Sequence, residues 1–438
     1  MNRDCILLKK QISNGYWPGF TMAMYPNQFA YKKMHVNLRE IWKDCKEVNL
    51  YFHIPFCKSI CPFCGFFTVA KPKDEYIKKY IDKLCNQIRF YSDTFEQKVL
   101  IKSICFGGGT PNAIDVESYQ QIFDTLRECN FEFDKDLEPS MEVSPELLEE
   151  NYVKRLYEIG IRRLSLGVQT LDFNLRNKIH RLNNYNYYEL LNMIRKNGMN
   201  INIDIMYGLA NQTIDMVVDT LEKLLEIMPE TISLYPLAGK GNSILNKETS
   251  ISKYDYFRAC RKLLENNNYY CESNIKFVKK NQKSTHQQKI YEYQGVPTMG
   301  LGCAARSYNY YVHYSVEQSF DSKNRMKMLD DYIEKDFEDF EWFGVTIDEL
   351  ERKSRYGVYG FFMGTVDLDK YNKLFNSDFE EDFKDALDAL YFNNLIIKEG
   401  NTIKLNYEGR VYTDLVCTRF WSSKNKELYE MERRNGNE

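Results

Sequence analysis

The sequence predicts an α/β protein whose core is a partial barrel of six βα units, followed by a helical, winged-helix-like C-terminal domain. Between about Val48 and Ala238, short β-branched apolar runs alternate with longer stretches of helical period, separated by Gly, Pro or polar breaks. Nearer the C-terminal end, helical stretches precede two short strand-like runs joined by KEGN, a pattern typical of a hairpin. These two observations together predict the fold class.

The βα repeat is carried by six strand-like runs, namely VNLYFHI (48–54), IKSICFG (101–107), SMEVS (140–144), IRRLSLGV (161–168), INIDIMYG (201–208) and TISLYPLA (231–238). The clearest intervening helix spans about Lys73 to Phe90, where apolar residues recur at helical spacing. Since parallel strands need such crossovers, we expect a parallel sheet with right-handed connections. In such barrels the chemistry lies at the C-terminal ends of the strands, so residues that follow each strand are candidates for function.

Outside the repeat, the sequence predicts two flanking regions. The stretch 296–313, VPTMGLGCAARSYNYYVH, indicates a strand, a Gly turn and a second strand that pack beside the barrel. We therefore divide the chain into an aromatic-rich N-terminal arm (1–47), a core with accessory strands (48–310) and a C-terminal helical, winged-helix-like domain (311–438). We expect the arm to be a structural strap.

Charge and hydropathy exclude several classes of partner. The chain has 59 Lys and Arg against 62 Asp and Glu, a formal net charge of −3, so no global field attracts nucleic acid or anionic lipid. Six acidic residues and one lysine between Asp378 and Asp388 also argue against DNA binding by the hairpin domain. No stretch approaches the roughly 18 apolar residues of a membrane span, and no export signal is visible, so we expect a cytoplasmic protein.

Three of the twelve cysteines are clustered, and their spacing restricts the chemistry. Cys57, Cys61 and Cys64 follow the first predicted strand within YFHIPFCKSICPFCGFF, whereas the other nine are scattered singly. A structural zinc site would need a fourth ligand, and a redox dithiol would leave Cys57 without a role. An iron–sulfur cube held by three thiolates has one open iron, which is useful only if another molecule binds it.

This arrangement, Cys-x3-Cys-x2-Cys directly after the first strand of a βα barrel with Phe63 before the last cysteine, resembles the radical S-adenosylmethionine (SAM) superfamily. The resemblance implies that the amino and carboxylate groups of SAM chelate the open iron of a [4Fe-4S] cluster. An electron from the reduced cluster then cleaves the C–S bond of SAM and yields a 5′-deoxyadenosyl radical.

Glycine and polar residues follow the other predicted strands, at the same edge of the barrel. CFGGGTP (105–111) places three glycines where a backbone approaches a ligand closely, and Glu142 in MEVSP follows the next strand. Further candidates are Gln169 in SLGVQT, Arg181 in IHRL and Asp204 in NIDIMYGL. Each of these three has a second interpretation: strand-end hydrogen bonding for Gln169, a surface ion pair for Arg181 and a helix cap for Asp204.

Taken in this order, and together with SLYPLA and MGLGCAARS, the motifs after the predicted strands resemble the oxygen-independent coproporphyrinogen III oxidase family. The resemblance is strong from Tyr51 to Ser307 and looser beyond Ser307. The resemblance implies that Cys57, Cys61 and Cys64 hold the cluster and that one or two SAM molecules bind. The implied SAM pocket is lined by Tyr51, Phe63, Gly108, Gly109, Glu142, Gln169, Arg181, Asp204 and Ala238, with Arg306 at a matching position. It also implies a small-molecule substrate, a tetrapyrrole or other planar aromatic, and a flavodoxin- or ferredoxin-type electron donor.

Two departures from the motifs of the coproporphyrinogen III oxidase family leave the choice of substrate open. Phe66 stands where the decarboxylating oxidase has a further cysteine, and Arg306 stands where that family has an aliphatic residue. The Cys-Gly-Phe-aromatic run instead resembles the class C radical SAM methyltransferases and the haem-chaperone branch. The alternatives to an oxidase are therefore methyl or methylene transfer to a planar heteroaromatic substrate, and haem transfer with little turnover. For haem transfer the candidate haem ligands are His286, His313 and Cys303.

Overall fold

The structure is a computed structural model of the 438-residue chain, and it describes residues 3–18, 25–181, 185–237, 251–282, 291–292, 295–316 and 322–435. Its strands are β1 (Lys32–Met34), β2 (Glu47–Ile54), β3 (Phe56–Cys57), β4 (Val69–Ala70), β5 (Val99–Gly108), β6 (Phe131–Phe133), β7 (Ser140–Val143), β8 (Arg163–Gln169), β9 (Asn200–Tyr207), β10 (Thr231–Pro236), β11 (Tyr269–Cys271), β12 (Lys276–Lys279), β13 (Thr298–Leu301), β14 (Ser307–Tyr308), β15 (Val312–Val316), β16 (Trp342–Thr346), β17 (Thr365–Asp367), β18 (Ile396–Glu399) and β19 (Thr402–Leu405).

The α-helices lie mostly between these strands or after them. They are α1 (Arg3–Ser13), α2 (Leu38–Trp42), α3 (Asp74–Ser92), α4 (Val116–Glu128), α5 (Glu150–Ile159), α6 (Phe173–Lys178), α7 (Tyr187–Lys196), α8 (Ile214–Leu225), α9 (Lys253–Asn266), α10 (Ser322–Glu334), α11 (Glu349–Phe362), α12 (Leu368–Phe375), α13 (Phe379–Asp382), α14 (Lys384–Phe392), α15 (Tyr407–Val411), α16 (Thr413–Cys417) and α17 (Ser423–Asn435). No helix in the described part of the chain is long and apolar enough to cross a bilayer.

The six predicted strands form the parallel core of the sheet, so this prediction is confirmed. They lie in the order β2, β5, β7, β8, β9, β10, and each is parallel to its neighbour. Their bounds differ from the predicted runs by no more than two residues. The parallel pairing brings the C-terminal ends of all six strands to one edge of the sheet.

The two faces of these strands differ in polarity because side chains alternate with a period of two. On one face, Phe106 of β5 stacks on Phe52 of β2 with ring centroids 4.7 Å apart and packs edge-on against Tyr119 of α4. On the other face polar side chains bind one another: the Ser103 hydroxyl donates to the Asn49 amide oxygen at 2.7 Å. The helices therefore cover an apolar outer face, and the barrel interior is polar.

The sheet extends beyond the six core strands on both sides. On one side β13 pairs parallel with β2, and β14, β15, β16 and β1 follow in antiparallel pairs. On the other side β12 pairs antiparallel with β10, and β11 pairs with β12. The predicted strand, turn and strand at 296–313 is confirmed as β13 and β14. The domain boundaries at 47/48 and 310/311 stay a prediction, and β1, β15 and β16 contribute to the same sheet as the core.

The C-terminal region is helical and carries the predicted hairpin. β18 and β19 pair antiparallel across KEGN, and β17 adds to β19. The N-terminal arm packs on this region: α1 lies against α14, and the Tyr25 hydroxyl donates to the buried Glu351 carboxylate at 2.6 Å. The Glu351 carboxylate also accepts hydrogen bonds from Ser422 and Asn425, so a buried polar network links the arm to the end of the chain.

Candidate functional site

The three clustered cysteines lie in a loop that starts where β2 ends. Cys57 closes the short strand β3, which pairs with β4, so both ends of the loop are held by backbone hydrogen bonds. Cys57 is buried, Cys61 and Cys64 are half-buried, and the Cys64 amide donates to the Cys61 carbonyl at 3.0 Å. Phe66, two residues after Cys64, is 59% exposed.

The three thiols lie close enough to influence one another electrostatically. Burial raises the pKa of the Cys57 thiol to about 11, the Thr110 hydroxyl that donates to its sulfur at 3.3 Å opposes this shift, and Cys61 and Cys64 add to it. Burial likewise raises the pKa values of Cys61 and Cys64, while the Arg181 guanidinium lowers both. A metal that binds these sulfurs therefore has to displace their protons.

The three clustered cysteines supply thiols, the ligand type that holds iron–sulfur clusters. Within the described ranges, no three His, Cys, Asp or Glu side chains are spaced to share one metal ion. Thiolates that each bind a different iron of a cluster need no such spacing. The mutual proximity of Cys57, Cys61 and Cys64 at the end of β2 is thus compatible with three iron ligands.

The glycine run after β5 packs directly against the cysteine loop. The Gly109 amide donates to the Ile54 carbonyl at 2.8 Å, and a Cβ atom at Gly109 would lie 2.7 Å from the Pro55 carbonyl carbon. Gly108 has a φ of +111°, and a Cβ atom there would lie 2.6 Å from the His53 ring. The close approach visible here is to His53 and Pro55, and an approach of Gly108 and Gly109 to a ligand stays a prediction.

His53 and Glu142 flank this glycine run. The His53 Nε2 atom donates to the Phe67 carbonyl at 2.8 Å, and its Nδ1 accepts from the Tyr51 hydroxyl at 3.3 Å. Burial lowers the pKa of His53 to about 4, so the ring is neutral and serves as a bridge between Tyr51 and the cysteine loop. Glu142 accepts a hydrogen bond from the Gly108 amide at 3.3 Å, which places its carboxylate at the strand-end edge as predicted.

Arg181 and Gln169 meet at the end of β8. A Cβ atom added to Gly167 would lie 3.2 Å from the Gln169 amide nitrogen and 3.7 Å from an Arg181 guanidinium nitrogen. Arg181 donates to the Ser144 hydroxyl and to the Glu146 carboxylate, the latter at 2.9 Å. Sequence reasoning missed Glu146, whose one signal is its place in the loop after β7. In the described part of the chain, the Arg181 Nε atom has no hydrogen-bond partner.

Asp204 lies on the polar inner face of β9, beside a lysine that sequence reasoning also missed. The Asn202 amide donates to the Asp204 carboxylate at 2.7 Å. Lys276, on β12, is 2% exposed and close enough to affect the Asp204 carboxylate electrostatically. Burial raises the pKa of Asp204 and lowers that of Lys276 to about 7. The signal for Lys276 is a charged residue in the otherwise apolar run IKFV.

The remaining predicted pocket residues are Phe63, in the cysteine loop itself, Arg306 and Ala238. Phe63 packs against an apolar cluster formed by Leu175, Ile179, Met206, Leu209 and Leu237. Arg306 follows β13, which pairs with β2, and its guanidinium donates to the Gln28 side chain of the arm at 2.8 Å. Ala238 lies outside the described residues. The structure therefore brings Tyr51, Glu142, Gln169, Arg181 and Asp204 to the strand-end edge or the inner face of the barrel, with Arg306 at its border.

This chain is similar to one family model and to several known proteins. Residues 51–224 match the family model described as the radical SAM superfamily. An oxygen-independent coproporphyrinogen III oxidase of Helicobacter pylori is 30% identical over 198 residues, which cover 45% of this chain and 43% of that protein. A heme chaperone, HemW, of Haemophilus influenzae is 30% identical over 203 residues, which cover 45% of this chain and 52% of that protein. The chain thus spans about half the length of the curated relatives it matches.

Among solved structures, coproporphyrinogen III oxidase from Escherichia coli, described as a radical SAM enzyme, superposes with a TM-score of 0.78. The two chains are 21% identical, and the match covers 93% of this chain and 98% of the other. At this identity the likeness establishes a shared fold, including the helical C-terminal region.

Proposed function

From the radical SAM domain that this chain carries at residues 51–224, we propose that the protein is an enzyme that cleaves SAM reductively and acts on a tetrapyrrole of the porphyrin or haem type. Cys57, Cys61 and Cys64 would hold a [4Fe-4S] cluster. When bound, that cluster supplies the electron that breaks the C–S bond of SAM and yields the 5′-deoxyadenosyl radical. The identity of the substrate rests on the relatives, several of which are named for coproporphyrinogen III oxidation.

The observation that carries the proposal is the position of Arg181 beside the cysteine loop. Its guanidinium is near enough to Cys61 to lower that thiol's pKa against the effect of burial, and it also binds Glu146. The Nε atom is buried and has no hydrogen-bond partner among the described residues, so a bound carboxylate would supply the acceptor that it lacks. Arg181 would therefore orient the carboxylate of SAM at the cluster.

The other strand-end residues would each bind a different chemical group of SAM. Glu142 and Asp204 are acceptors suited to an ammonium or to ribose hydroxyls, and Phe63 offers an aromatic face to adenine. Tyr51 is oriented by the neutral His53 ring and reaches the same edge. The family resemblance implies one or two bound SAM molecules, and equilibrium titration with SAM would count them.

Anaerobic reconstitution with iron and sulfide tests the proposal. After reduction we expect an electron paramagnetic resonance signal of a [4Fe-4S]+ cluster that shifts when SAM is added, and release of 5′-deoxyadenosine. The Cys61→Ala variant should lose both, whereas Cys129→Ala, which changes a cysteine outside the cluster, should retain them. Undiminished 5′-deoxyadenosine from Cys61→Ala would contradict the proposed cluster ligands.

The reaction outcome is read from the mass of the product. Incubation with coproporphyrinogen III, haem or planar heteroaromatic acceptors distinguishes loss of CO2, which an oxidative decarboxylase produces, from gain of CH2, which a methyl or methylene transferase produces. Because Phe66 stands where the oxidase has another cysteine, both outcomes are measured in the same reactions. An electron donor of the flavodoxin or ferredoxin type is the first reductant to supply.

A haem chaperone is the second candidate, favoured by the similarity to the Haemophilus influenzae protein. The structure gives two of its candidate ligands little access: His313 is 1% exposed and packs edge-on against Tyr308, and Cys303 is fully buried. His286 lies outside the described residues. Stoichiometric haem binding without 5′-deoxyadenosine release on reduction would favour this candidate over the enzyme.

A further inference from the structure

Lys253 occupies a position at the strand-end edge that the proposed SAM contacts do not explain. It is the first residue of α9, and its ammonium donates to the carbonyl of Gly208, one residue after β9 ends, at 3.1 Å. β9 also carries Asp204, and its C-terminal end lies at the same edge as the cysteine loop. The Lys253 side chain is half-buried there.

No negative charge balances Lys253 within the described ranges. Burial lowers the pKa of its ammonium to about 8, and no charged or titratable neighbour contributes to that shift. Half-buried Lys353, in contrast, lies 3.0 Å from the Asp382 carboxylate. Because removing a charge from water costs free energy unless a partner compensates it, an uncompensated cation at a candidate site indicates an anionic ligand.

The surroundings of Lys253 form a slot that fits this side chain. A Cβ atom at Gly208 would lie 1.8 Å from the Lys253 ammonium, so the ammonium fills the space that a side chain at this position would need. The Trp17 ring of the N-terminal arm lies 5.9 Å from the ammonium, and the Trp17 indole donates to the buried Asp414 carboxylate at 3.4 Å. The end of β9 and the N-terminal arm therefore contact the Lys253 ammonium from two sides.

We propose that Lys253 binds a carboxylate of the substrate and thereby selects acidic members of its class. This inference rests on the proposed function, since it concerns the substrate of the same barrel. The SAM carboxylate is the alternative anion, but Arg181 already lies beside Cys61, where that carboxylate would chelate iron. Lys253 instead lies at the end of β9, next to Trp17 of the arm.

Equilibrium titration with two porphyrins tests this proposal. Coproporphyrin III carries four carboxylates, and its tetramethyl ester carries none, so the pair isolates the contribution of charge. The reconstituted protein is titrated with each compound by fluorescence, as wild type and as Lys253→Met, Lys253→Arg and Lys223→Met. Lys223 is an exposed lysine paired with Asp219 on α8 and serves as the matched control.

Wild type should bind the acid more tightly than the ester. Lys253→Met should weaken binding of the acid by about tenfold and leave the ester unchanged, because one charged hydrogen bond is lost. Lys253→Arg should retain most of the affinity, and Lys223→Met should match wild type. Equal affinity of wild type for acid and ester, or equal losses for both compounds in Lys253→Met, would overturn the proposal.

A parallel measurement of SAM affinity separates the two anions. SAM affinity, measured without porphyrin, should be unchanged in Lys253→Met, and a loss of SAM affinity without a loss of coproporphyrin affinity would overturn the assignment to substrate. Absence of 5′-deoxyadenosine from the wild type would refute the proposed enzyme while leaving the porphyrin titration interpretable. Thermal unfolding of each variant identifies any loss that comes from misfolding.

Discussion

Arg181 and Glu146 form an ion pair with a separation of 2.9 Å beside the Cys61 thiol. Both side chains are largely buried; Arg181 follows α6, and Glu146 lies in the loop after β7. The two charges have opposite effects on the cysteine, because the guanidinium favours its thiolate and the carboxylate opposes it. The pair therefore adjusts the acidity of a predicted iron ligand.

Substitutions in this pair should change the reactivity of Cys61 in opposite directions. In the metal-free protein, Arg181→Met removes the cation and should slow alkylation of Cys61 by iodoacetamide about threefold, since only the thiolate reacts. Glu146→Gln should accelerate it by a similar factor. Mass spectrometry of the Cys61 peptide over time measures both alkylation rates. Substitutions in the exposed ion pair between Lys33 and Glu341 serve as the control. Changes of the same sign in both variants would contradict this account.

Protonation of His53 should make stability depend on pH. Burial lowers its pKa in the folded state to about 4, whereas the unfolded chain has the ordinary value of 6.5. Below pH 6.5 the unfolded state therefore binds more protons, and stability falls as the pH falls from 6.5 towards 4, by about 3 kcal/mol in total. Urea unfolding of the metal-free protein between pH 7 and pH 4.5 measures the free energy of unfolding.

The matched variant for this test is His53→Gln. Its amide is able to donate to the Phe67 carbonyl as the His53 Nε2 atom does, but it does not titrate in this range. The slope of stability against pH between 6.5 and 4.5 should therefore be smaller in the variant than in wild type. Identical slopes would show that His53 is not the group responsible.

Gly108 should not tolerate a side chain. Its φ of +111° is unfavourable for other residues, and a Cβ atom would lie 2.6 Å from the His53 ring. We expect Gly108→Ala to lower the free energy of unfolding by about 1–3 kcal/mol. Gly65→Ala is the control, because a Cβ atom at Gly65 has no neighbour within 4 Å, and it should change stability by less than about 0.5 kcal/mol. Comparable losses in both variants would refute the steric explanation.

Much of the core was predictable because the periodicity of a strand is local. Along β2, Leu50 and Phe52 are apolar and fully buried, while Asn49 and Tyr51 alternate with them. This alternation identifies a strand without reference to any other part of the chain. Helix α3 and the hairpin of β18 and β19 were recognisable for the same reason, since helical spacing and turn residues are properties of short segments.

The order of residues along the chain was thus sufficient to predict the six parallel strands and the edge where the cysteines lie. The partners of the charged groups depended on the three-dimensional arrangement of the curved sheet and its loops. Glu146 beside Arg181, Lys276 near Asp204 and Lys253 against Gly208 each join segments between 35 and 72 residues apart. Such contacts follow from sheet curvature and strand register, because these bring distant side chains within a few ångströms, and no local pattern in the sequence encodes them.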